Sequence, residues 1–528
     1  MTLQDRERST QAPATYLGID VGTSATKAVV LSADGTVIAR SRVTHPAARA
    51  VGHGRADPAA WRASLITAVG ELEPHTAAVT AIGVDTHCPT ALLLDDDGEA
   101  IAAGLTWDHP ELAEPTDELI RALNPAHRTL IGNHLQPATA MAAAHLLLRT
   151  LEPDASATAA TFGLVGTWLG QWLTGERAID PTQASYTGLM ASTDGSCEWL
   201  TDVADRLGIP RHQLPPIRPS LSVLGALLPA AAELLGVPAG IPVLVGSGDT
   251  PAASYALGAR PGGRPLLIMG TTHVVSNALD TPDPRAKALQ RVDVRPGRWL
   301  INGVINGGDA LAEGARRLGY GQGDVAVAAL IGTAFRATPA DVDGAPVFIP
   351  HTRPERGPLW FAEPRTRLIG EIPDSSAASA ARGVVEGVLF ADRMIVESCI
   401  GADQRTLYVS GAFGADPELP QLLADVLDRD ILVVDESHLP AIGAAGMAVE
   451  VLTGTTIEPP AGRRVAPRAQ WRDTVQRRWL QYRRHWSEVT GILPLSTLDD
   501  VAAGLAHDLP SSTTSPPFDR NLIPEPSR

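Results

Sequence analysis

Short apolar runs separated by tight polar turns open this chain, and the pattern predicts a meander of three strands. The first two runs lie in "YLGIDVGTSATKAVVL" (residues 16–31), where residues 22–24 form the turn between them. The pair Asp34 and Gly35 separates the second run from a third, and an Asp-Gly pair between apolar runs is typical of a hairpin. Residues 57–72 then change to helical spacing, which predicts an amphipathic helix.

The second half of the chain repeats this opening. "RPLLIMGTTHVVSNAL" again places a Gly-Thr-Thr turn between two apolar runs, and residues 270–272 fall where residues 22–24 fell in the first half. Two such hairpins near the starts of two halves of similar size predict a duplicated fold. Each half mixes strands with helices in an α/β manner, and the glycine- and proline-rich stretch near residues 257–264 marks the boundary between them.

The predicted domains are therefore residues 15–259 and residues 260–494. A polar leader at residues 1–14 precedes them, and the Ser-, Thr- and Pro-rich end at residues 495–528 is predicted to be a flexible tail. The second domain ends in an aromatic-rich helix at residues 470–489, which we expect to pack on its own domain.

Composition narrows the functional classes. The 528 residues carry a formal net charge of −16, and 44% of them are hydrophobic. The acidic balance argues against a nucleic-acid partner, because phosphate backbones require clustered Lys and Arg. No apolar run approaches about twenty residues, so no membrane partner is expected. The start of the chain lacks an apolar signal-peptide core, and the three cysteines show no disulfide or zinc spacing, which favours a reducing cytoplasm.

The two Gly-Thr turns are candidates for anion binding. Glycine lets a backbone approach a ligand closely, and successive N–H groups in a turn can form an anion-binding concavity. Two such turns facing each other across a cleft would hold a polyphosphate from both sides. Either turn alone is also consistent with an ordinary hairpin, but their repetition, with Asp20 just before the first, favours a phosphate site.

Two aspartates stand at the ends of predicted strands. Asp20 ends the apolar run "GID", where a buried carboxylate needs a cation or several donors. We favour the interpretation that Asp20 lies beside a bound Mg²⁺ over the interpretation that it only caps its turn. Asp249, in "VGSGDTPAASYALGA", follows a buried-looking strand and begins a helix. That position lies in the crevice where α/β folds bind ligands, but Asp is also a favoured helix N-cap, so position alone leaves both interpretations open.

Five motifs in order make the chain resemble the FGGY carbohydrate kinases, most closely the xylulokinase branch. They are "YLGIDVGTSATKAVVLSADGTVIA", "VLVGSGDTPAASYALGA", "LIMGTTHVVS", "VSGAFGADPELPQLLADVL" and "LPAIGAAGMAV". The likeness covers residues 16–492. It implies an α/β fold of two ribonuclease H-like domains, of the actin/hexokinase type, flanking a central cleft. This agrees with the duplication predicted from the two hairpins.

The resemblance implies a role for each matching residue. Asp249 matches the family's catalytic base, which takes the proton from a sugar hydroxyl as its oxygen attacks the γ-phosphate of ATP. Asp20 matches the aspartate associated with Mg²⁺, so that ATP and Mg²⁺ are the implied cofactors. The residues that match nucleotide-binding positions are Gly22, Thr23, Ser24, Gly270, Thr271, Thr272, Gly308, Gly411 and Ala412. The small residues that match a helix packed behind the nucleotide site are Ala441, Gly443, Ala444 and Ala445.

Departures from the family pattern lie where the sugar is recognised. Xylulokinases usually carry GQMHG in the region where this chain has "DTHCPTALLLD", with Cys88 and Pro89 in place of the Met-His pair and His87 in place of the Gln. Many members have WxDxR where this chain has "TWDHP". We therefore interpret Thr86, His87 and Trp107 as substrate-side residues, together with Asp249. Trp107 is also compatible with a core position, and His87 with a loop histidine whose hydrogen bonds are satisfied. Lys27 could approach phosphate, but we expect it on a solvated strand face.

The predicted function is ATP-dependent phosphorylation of a hydroxyl of a ketose such as xylulose, or of a polyol. The alternatives are a kinase for another polyol, an aldonate or a deoxy-sugar, a non-catalytic sugar-binding member, and a chaperone-like ATPase of the same superfamily. The expected partner is a small sugar or polyol, and a homodimer is compatible with the sequence. Sugar-dependent release of ADP would separate the kinases from the other two classes.

Overall fold

The chain folds into two α/β halves, each built around a seven-stranded sheet. The computed structural model describes residues 14–46, 53–283, 287–342, 344–371, 376–401 and 405–492. The predicted tail and all but the last residue of the predicted leader lie outside the described residues.

The first half contains the predicted meander and the helix that follows it. Its strands are β1 (Thr15–Val21), β2 (Ala25–Ser32), β3 (Val37–Thr44), β4 (Arg55–Ala56), β5 (Val79–Thr86), β6 (Thr90–Leu94), β7 (Gly104–Thr106), β8 (Thr161–Leu164), β9 (Val223–Ala226), β10 (Pro242–Leu244) and β11 (Ser247–Gly248). Its helices are α1 (Pro58–Gly70), α2 (Ala113–Ala122), α3 (Pro125–Ile131), α4 (Ala143–Leu151), α5 (Pro153–Thr158), α6 (Val165–Thr174), α7 (Pro181–Ala184), α8 (Thr201–Arg206), α9 (Pro229–Leu235) and α10 (Asp249–Ala256). Strands β1 to β3 and helix α1 confirm the predicted order.

The second half is richer in long helices. Its strands are β12 (Leu266–Met269), β13 (His273–Leu279), β14 (Leu289–Val292), β15 (Trp299–Ile305), β16 (Val347–His351), β17 (Arg365–Ile369), β18 (Leu407–Ser410), β19 (Ile431–Val433) and β20 (Arg463–Val465). Its helices are α11 (Gly307–Arg317), α12 (Asp324–Phe335), α13 (Ala377–Ile400), α14 (Leu419–Leu427), α15 (Leu439–Thr453) and α16 (Arg472–Thr490). Within the described ranges, none of the helices combines the length and apolar content that crossing a membrane requires.

Six strands of each main sheet follow the same order, which confirms the predicted duplication. The first runs β3-β2-β1-β5-β10-β9 with β11 beside β5, and the second runs β14-β15-β13-β12-β18-β19-β20. In each sheet an antiparallel hairpin is followed by a strand parallel to the first strand of that hairpin. Strand β5 is parallel to β1, and β18 is parallel to β12. Parallel strands end at one edge of a sheet, where α/β folds bind ligands.

Helix α15 lies between β19 and β20 of the second sheet in sequence but packs on the sheet of the first half. A Cβ atom at Gly18 of β1 would lie 1.9 Å from a carbonyl oxygen of α15, and one at Gly83 of β5 would lie 1.8 Å from another. A Cβ atom at Gly443 of α15 would lie 1.9 Å from the carbonyl oxygen of Ala252 in α10. The small residues noted in this helix therefore let it fit between the first sheet and α10, and it holds β1, β5 and α10 together.

We expect Gly83→Ala to lower the free energy of unfolding by about 3 kcal/mol, because the new methyl group meets backbone that cannot yield without displacing α15. Thermal unfolding followed by circular dichroism measures the effect. Gly70→Ala at the end of α1 is the matched control, since a Cβ atom there has nothing within 4 Å and its stability should be equal or slightly higher. Equal stability of the two variants would contradict the close contact.

The aromatic-rich helix α16 packs on its own half, as the sequence predicts. Trp479, Tyr482 and Trp486 are buried in the core of the second half. The rings of Trp479 and Tyr482 stack with their centroids 5.8 Å apart, and both lie against Phe390 of α13. The large apolar area of these rings explains why a helix rich in charged residues holds a fixed place.

Candidate active site

Three aspartates meet at one edge of the first sheet. Asp20 and Asp85 stand opposite each other near the ends of the parallel strands β1 and β5. Strand β11 also pairs with β5, with Ser247 opposite Asp85, and Asp249 begins α10 directly after that strand. The topology thus gathers carboxyl groups from three distant parts of the chain.

Burial favours the protonated form of two of these carboxyl groups. Asp20 and Asp85 are 3% and 0% exposed. Burial raises the pKa of Asp20 to about 6, while the charge of Lys27 opposes this rise and that of Asp249 adds to it. Burial, followed by the charges of Asp20 and Asp249, raises the pKa of Asp85 well above its ordinary value. The charge of Asp249 thus disfavours ionisation of both buried carboxyl groups, and a bound cation would reverse that preference.

The carboxyl oxygens of this pair fit a divalent cation. Oδ1 of Asp20 and both oxygens of Asp85 are buried, without a hydrogen-bond partner among the described residues. Mg²⁺ prefers one or two carboxylates together with phosphate oxygens and water, so the donor set has the right chemistry. In the described part of the chain, no group of three or more His, Cys, Asp or Glu is arranged to hold a metal ion, so the fit rests on these two carboxylates.

The expectation that Lys27 occupies a solvated strand face is wrong. Lys27 stands opposite Asp20 in the antiparallel pair of β1 and β2. Its Nζ lies 3.7 Å from Oδ2 of Asp20, and its side chain is 24% exposed. The lysine therefore supplies positive charge beside the carboxyl pair, because the hairpin register turns it towards Asp20.

A buried hydrogen-bond network fixes the start of α10 and thereby Asp249. Oδ1 of Asp180 accepts hydrogen bonds from the backbone N–H of Thr182 at 2.9 Å and from its hydroxyl at 2.5 Å. The Thr182 hydroxyl oxygen in turn accepts a bond from the N–H of Gly248 at 2.9 Å. Oδ1 of Asp249 accepts the N–H of Thr250 at 2.6 Å, whereas no described residue donates to its Oδ2. One carboxylate oxygen is therefore oriented by the helix, and the other is available to a ligand.

The first predicted phosphate turn lies beside the carboxyl pair. The N–H of Gly22 donates to the carbonyl oxygen of Ala25 at 3.0 Å, which closes the turn, and Thr23 and Ser24 are exposed. A Cβ atom at Gly22 would lie 3.6 Å from Oδ1 of Asp20. The turn therefore presents exposed hydroxyls next to an unsatisfied carboxyl oxygen.

The second predicted turn belongs to a glycine-lined surface of the second half. The N–H of Gly270 closes this turn at 3.1 Å, and the N–H of Gly308 donates to the carbonyl oxygen of Thr271 at 3.1 Å. A Cβ atom at Gly308 would lie 2.4 Å from the carbonyl oxygen of Gly270. Gly411 has a φ of +95°, and a Cβ atom there would lie 2.5 Å from the last carbonyl oxygen of β12, with Ala412 exposed beside it. These positions thus come together with little side-chain cover of their own, and the ring of Phe413 lies against Gly308, 2.9 Å from where its Cβ atom would be.

Both halves of the chain match models of one protein family. The N-terminal domain of the FGGY family of carbohydrate kinases matches residues 15–256, and the C-terminal domain of that family matches residues 266–450. The chain belongs to the FGGY family of carbohydrate kinases. As a member, it is a phosphotransferase that uses ATP to phosphorylate an alcohol group of a sugar or polyol.

The relatives of this FGGY kinase differ in the substrates for which they are named. The xylulose kinase of Escherichia coli is 27% identical over 446 residues, which cover 82% of this chain and 89% of the relative. A glycerol kinase of Thermococcus gammatolerans is 26% identical over 455 residues, with 82% and 89% covered. The crystal structure of a gluconate kinase from Lactobacillus acidophilus matches the fold with a TM-score of 0.80 at 20% identity, covering 91% of this chain and 99% of that one. The fold is thus the two-domain actin/hexokinase-like one, and the substrate is open.

Two of the predicted substrate-side residues of this FGGY kinase follow each other at the end of β5. Thr86 stands opposite Gly248, and its buried hydroxyl has no hydrogen-bond partner among the described residues. His87 is buried, with Nδ1 3.0 Å from the carbonyl oxygen of Val21 and Nε2 3.2 Å from the hydroxyl oxygen of Thr90. Both ring nitrogens are therefore engaged within the protein, whereas the Thr86 hydroxyl is free to bind a ligand. Their role in sugar binding stays a prediction.

The third predicted substrate-side residue, Trp107, is exposed. The guanidinium carbon of Arg356, from the second half, lies 4.9 Å from the centre of its ring. This contact joins the "TWDHP" segment to the other half of the FGGY kinase. A direct contact between Trp107 and a sugar also stays a prediction.

Sequence reasoning missed Asp85 and two arginines, Arg291 and Arg356. A signal for Asp85 was present, because it ends the run Gly-Val-Asp in β5 as Asp20 ends the run Gly-Ile-Asp in β1. The arginines had no comparable signal, since no local pattern shows that strand β14 and the loop after β16 reach the first half.

Proposed function

We propose that this FGGY kinase transfers the γ-phosphoryl group of Mg-ATP to a sugar or polyol hydroxyl with Asp249 as the general base. The observation that carries the proposal is the place of Asp249, at the start of α10 and at the sheet edge that holds Asp20 and Asp85. A hydroxyl is a poor nucleophile at neutral pH, and a carboxylate within hydrogen-bond reach assists its attack.

Each group of the site has a task in this reaction. Oδ2 of Asp249 takes the proton while the hydroxyl oxygen bonds to the γ-phosphorus and the bond to the β-phosphate oxygen breaks, which releases ADP. The N–H of Thr250 and the network from Asp180 hold the carboxylate in one orientation, so little reorganisation is needed. Mg²⁺ held through Asp20 and Asp85 would neutralise charge on the phosphates.

The remaining positions bind the nucleotide in this proposal. The turn at residues 22–24 and the turn at residues 270–272 donate backbone N–H groups and hydroxyls to the phosphates. Gly308, Gly411 and Ala412 leave the backbone open for the ribose and adenine. The exposed hydroxyls and the glycine-lined surface described above support these assignments.

We also propose that the protein works in the cytoplasm, where its nucleotide substrate ATP is supplied. Its partner in this proposal is a small sugar or polyol. A homodimer stays a prediction, and light scattering on the purified chain measures the oligomeric state.

A substrate panel tests the proposed function. The purified full-length chain is incubated with Mg-ATP and with ketoses, polyols, aldonates and deoxy-sugars, and ADP release is measured. Xylulose and glycerol are included because relatives are named as kinases for them. We expect ADP release to depend on at least one compound and to stop when EDTA removes Mg²⁺. Equal release with and without every compound would indicate a chaperone-like ATPase, and sugar binding without ADP would indicate a non-catalytic member, so either result would contradict the proposal.

A further inference from the structure

The second half contributes a buried arginine to the sugar side of the site. Arg291 lies in β14, and the next residue of that strand donates its N–H to Oγ of Ser185 in the first half at 3.0 Å. Its guanidinium carbon is 3.9 Å from the ring centre of Tyr186. Nη1 of Arg291 lies 3.0 Å from the position that a Cβ atom of Gly248 would occupy, directly before Asp249. A cation from one half thus reaches the base supplied by the other.

This guanidinium group is buried with incomplete hydrogen bonding. Arg291 is 5% exposed, and neither Nε nor Nη1 has a partner among the described residues. Removing a charged group from water without pairing it is unfavourable, so such a group in a cleft indicates a place where a ligand supplies the missing acceptors.

Arg356 brings a second cation to the same place. It lies against the ring of Trp107, and its charge and that of Arg291 both act on Tyr186. The charge of Asp249 in turn acts on both guanidinium groups. Arg356 is half-buried, and burial lowers the pKa of its guanidinium group.

Neighbouring acids are occupied by other donors. Asp180 accepts the bonds from Thr182 described above. Oε2 of Glu355 accepts the N–H of Asn306 at 3.1 Å and its side-chain amide at 2.9 Å. Asp249 is the acid whose charge acts on both arginines. The charge of Glu355 also acts on Arg356, whereas Nε and Nη1 of Arg291 have no partner among the described residues, so Arg291 is the cation that is available to a ligand.

We propose that the acceptor is an acidic polyol of the aldonate class, whose carboxylate binds Arg291 with support from Arg356 while one of its hydroxyls faces Asp249. This inference rests on the proposed function and narrows its substrate. A carboxylate matches the planar fork of a guanidinium group and supplies the negative charge that a neutral sugar lacks. A neutral ketose or alditol would leave the buried cation of Arg291 without an ionic partner.

Pairs of compounds that differ at one terminal carbon test this inference. The full-length chain is assayed for ADP release with Mg-ATP and with xylonate against xylitol, and gluconate against sorbitol; xylulose is the neutral ketose control. We expect kcat/KM for the better acid to exceed that for its alditol by about 100-fold, as loss of a charge-assisted contact predicts.

Substitution of Arg291 separates recognition of the acid from a structural role. Arg291→Gln should lower kcat/KM for the acid by roughly 10- to 100-fold, mainly through KM, and change that for the alditol by less than about threefold. Arg291→Lys keeps the positive charge but lacks the planar, two-pronged guanidinium group. Its kcat/KM for the acid should therefore lie between those of the unsubstituted protein and Arg291→Gln. Arg367→Gln, at an exposed arginine of β17, is the matched control and should match the unsubstituted protein. Thermal midpoints establish that each variant is folded.

Three outcomes would overturn the inference. Preference for a ketose or an alditol over both acids would refute it and leave the kinase function intact. An equal loss with acid and alditol in the folded Arg291 variants would show that Arg291 acts on Asp249 or on the packing of the halves instead. ADP release that responds to no compound would contradict the proposed function itself, and the inference with it.

Discussion

Asp249→Asn is expected to lower kcat by about 10²- to 10⁴-fold, because the amide keeps the shape of the side chain but cannot accept the proton of the attacking hydroxyl. Nucleotide affinity should stay within about threefold, since the phosphate turns and the glycine-lined surface are unchanged. Single-turnover assays with the best acceptor from the panel measure the first quantity. Calorimetric titration with Mg-ADP measures the second.

Asp97→Asn is the matched control for this substitution. Asp97 is an exposed aspartate in the turn after β6, remote in sequence from the three strand-end carboxyl groups. Its variant should retain full activity. An Asp249→Asn protein with the activity of this control would refute the assignment of the base, and a parallel loss of nucleotide binding would show that Asp249 acts on the nucleotide.

Asp85→Asn is expected to weaken the apparent affinity for Mg²⁺ by at least about 10- to 100-fold while it stabilises the unliganded protein. Both effects have one cause. The carboxyl group of Asp85 is fully buried without hydrogen-bond partners among the described residues, so it is unfavourable for folding and available to a cation. Activity as a function of Mg²⁺ concentration measures the first effect, and thermal unfolding without ligands measures the second.

The stabilising effect of Asp85→Asn should grow with pH. A carboxyl group whose pKa is raised in the folded state stabilises the fold below the unfolded pKa, and this contribution is lost as pH rises through the folded pKa. For Asp20, a rise from 3.8 to about 6 corresponds to roughly 3 kcal/mol, and the pKa of Asp85 is raised in the same direction. As pH rises above the unfolded pKa of about 4, the stability of the variant should therefore increase relative to that of the unsubstituted protein. A constant difference, or a loss of stability, would contradict this account.

The sequence contained enough local information to locate part of the site. Two apolar runs separated by a polar turn located β1 and β2, and the position of Asp20 at a strand end suggested a metal. The strand, glycine turn and helix around Asp249 suggested a ligand-facing carboxylate. Asp85 carried the same signal as Asp20 and was overlooked, because its importance depends on the pairing of β5 with β1.

Electrostatic roles depended on contacts that no local pattern encodes. Lys27 was expected to face solvent, yet the register of β2 places it opposite Asp20. Arg291 occupies an edge strand of the second sheet, and only the folded chain brings it beside Tyr186 and Gly248 of the first half. Strand periodicity predicts which face of a sheet a residue lies on, but it does not predict which residues pack against that face.

The sequence alone determined the duplicated hairpins and the run of helices, because turns and periodic burial depend on residues that are neighbours in sequence. It also showed the small residues of α15. Tertiary structure decided that α15 crosses to the other half, that three carboxyl groups share one edge, and that a guanidinium group is buried beside them. Burial and the reduced screening it brings arise from residues far apart in the chain, and these set the protonation, metal affinity and charge preference of the site.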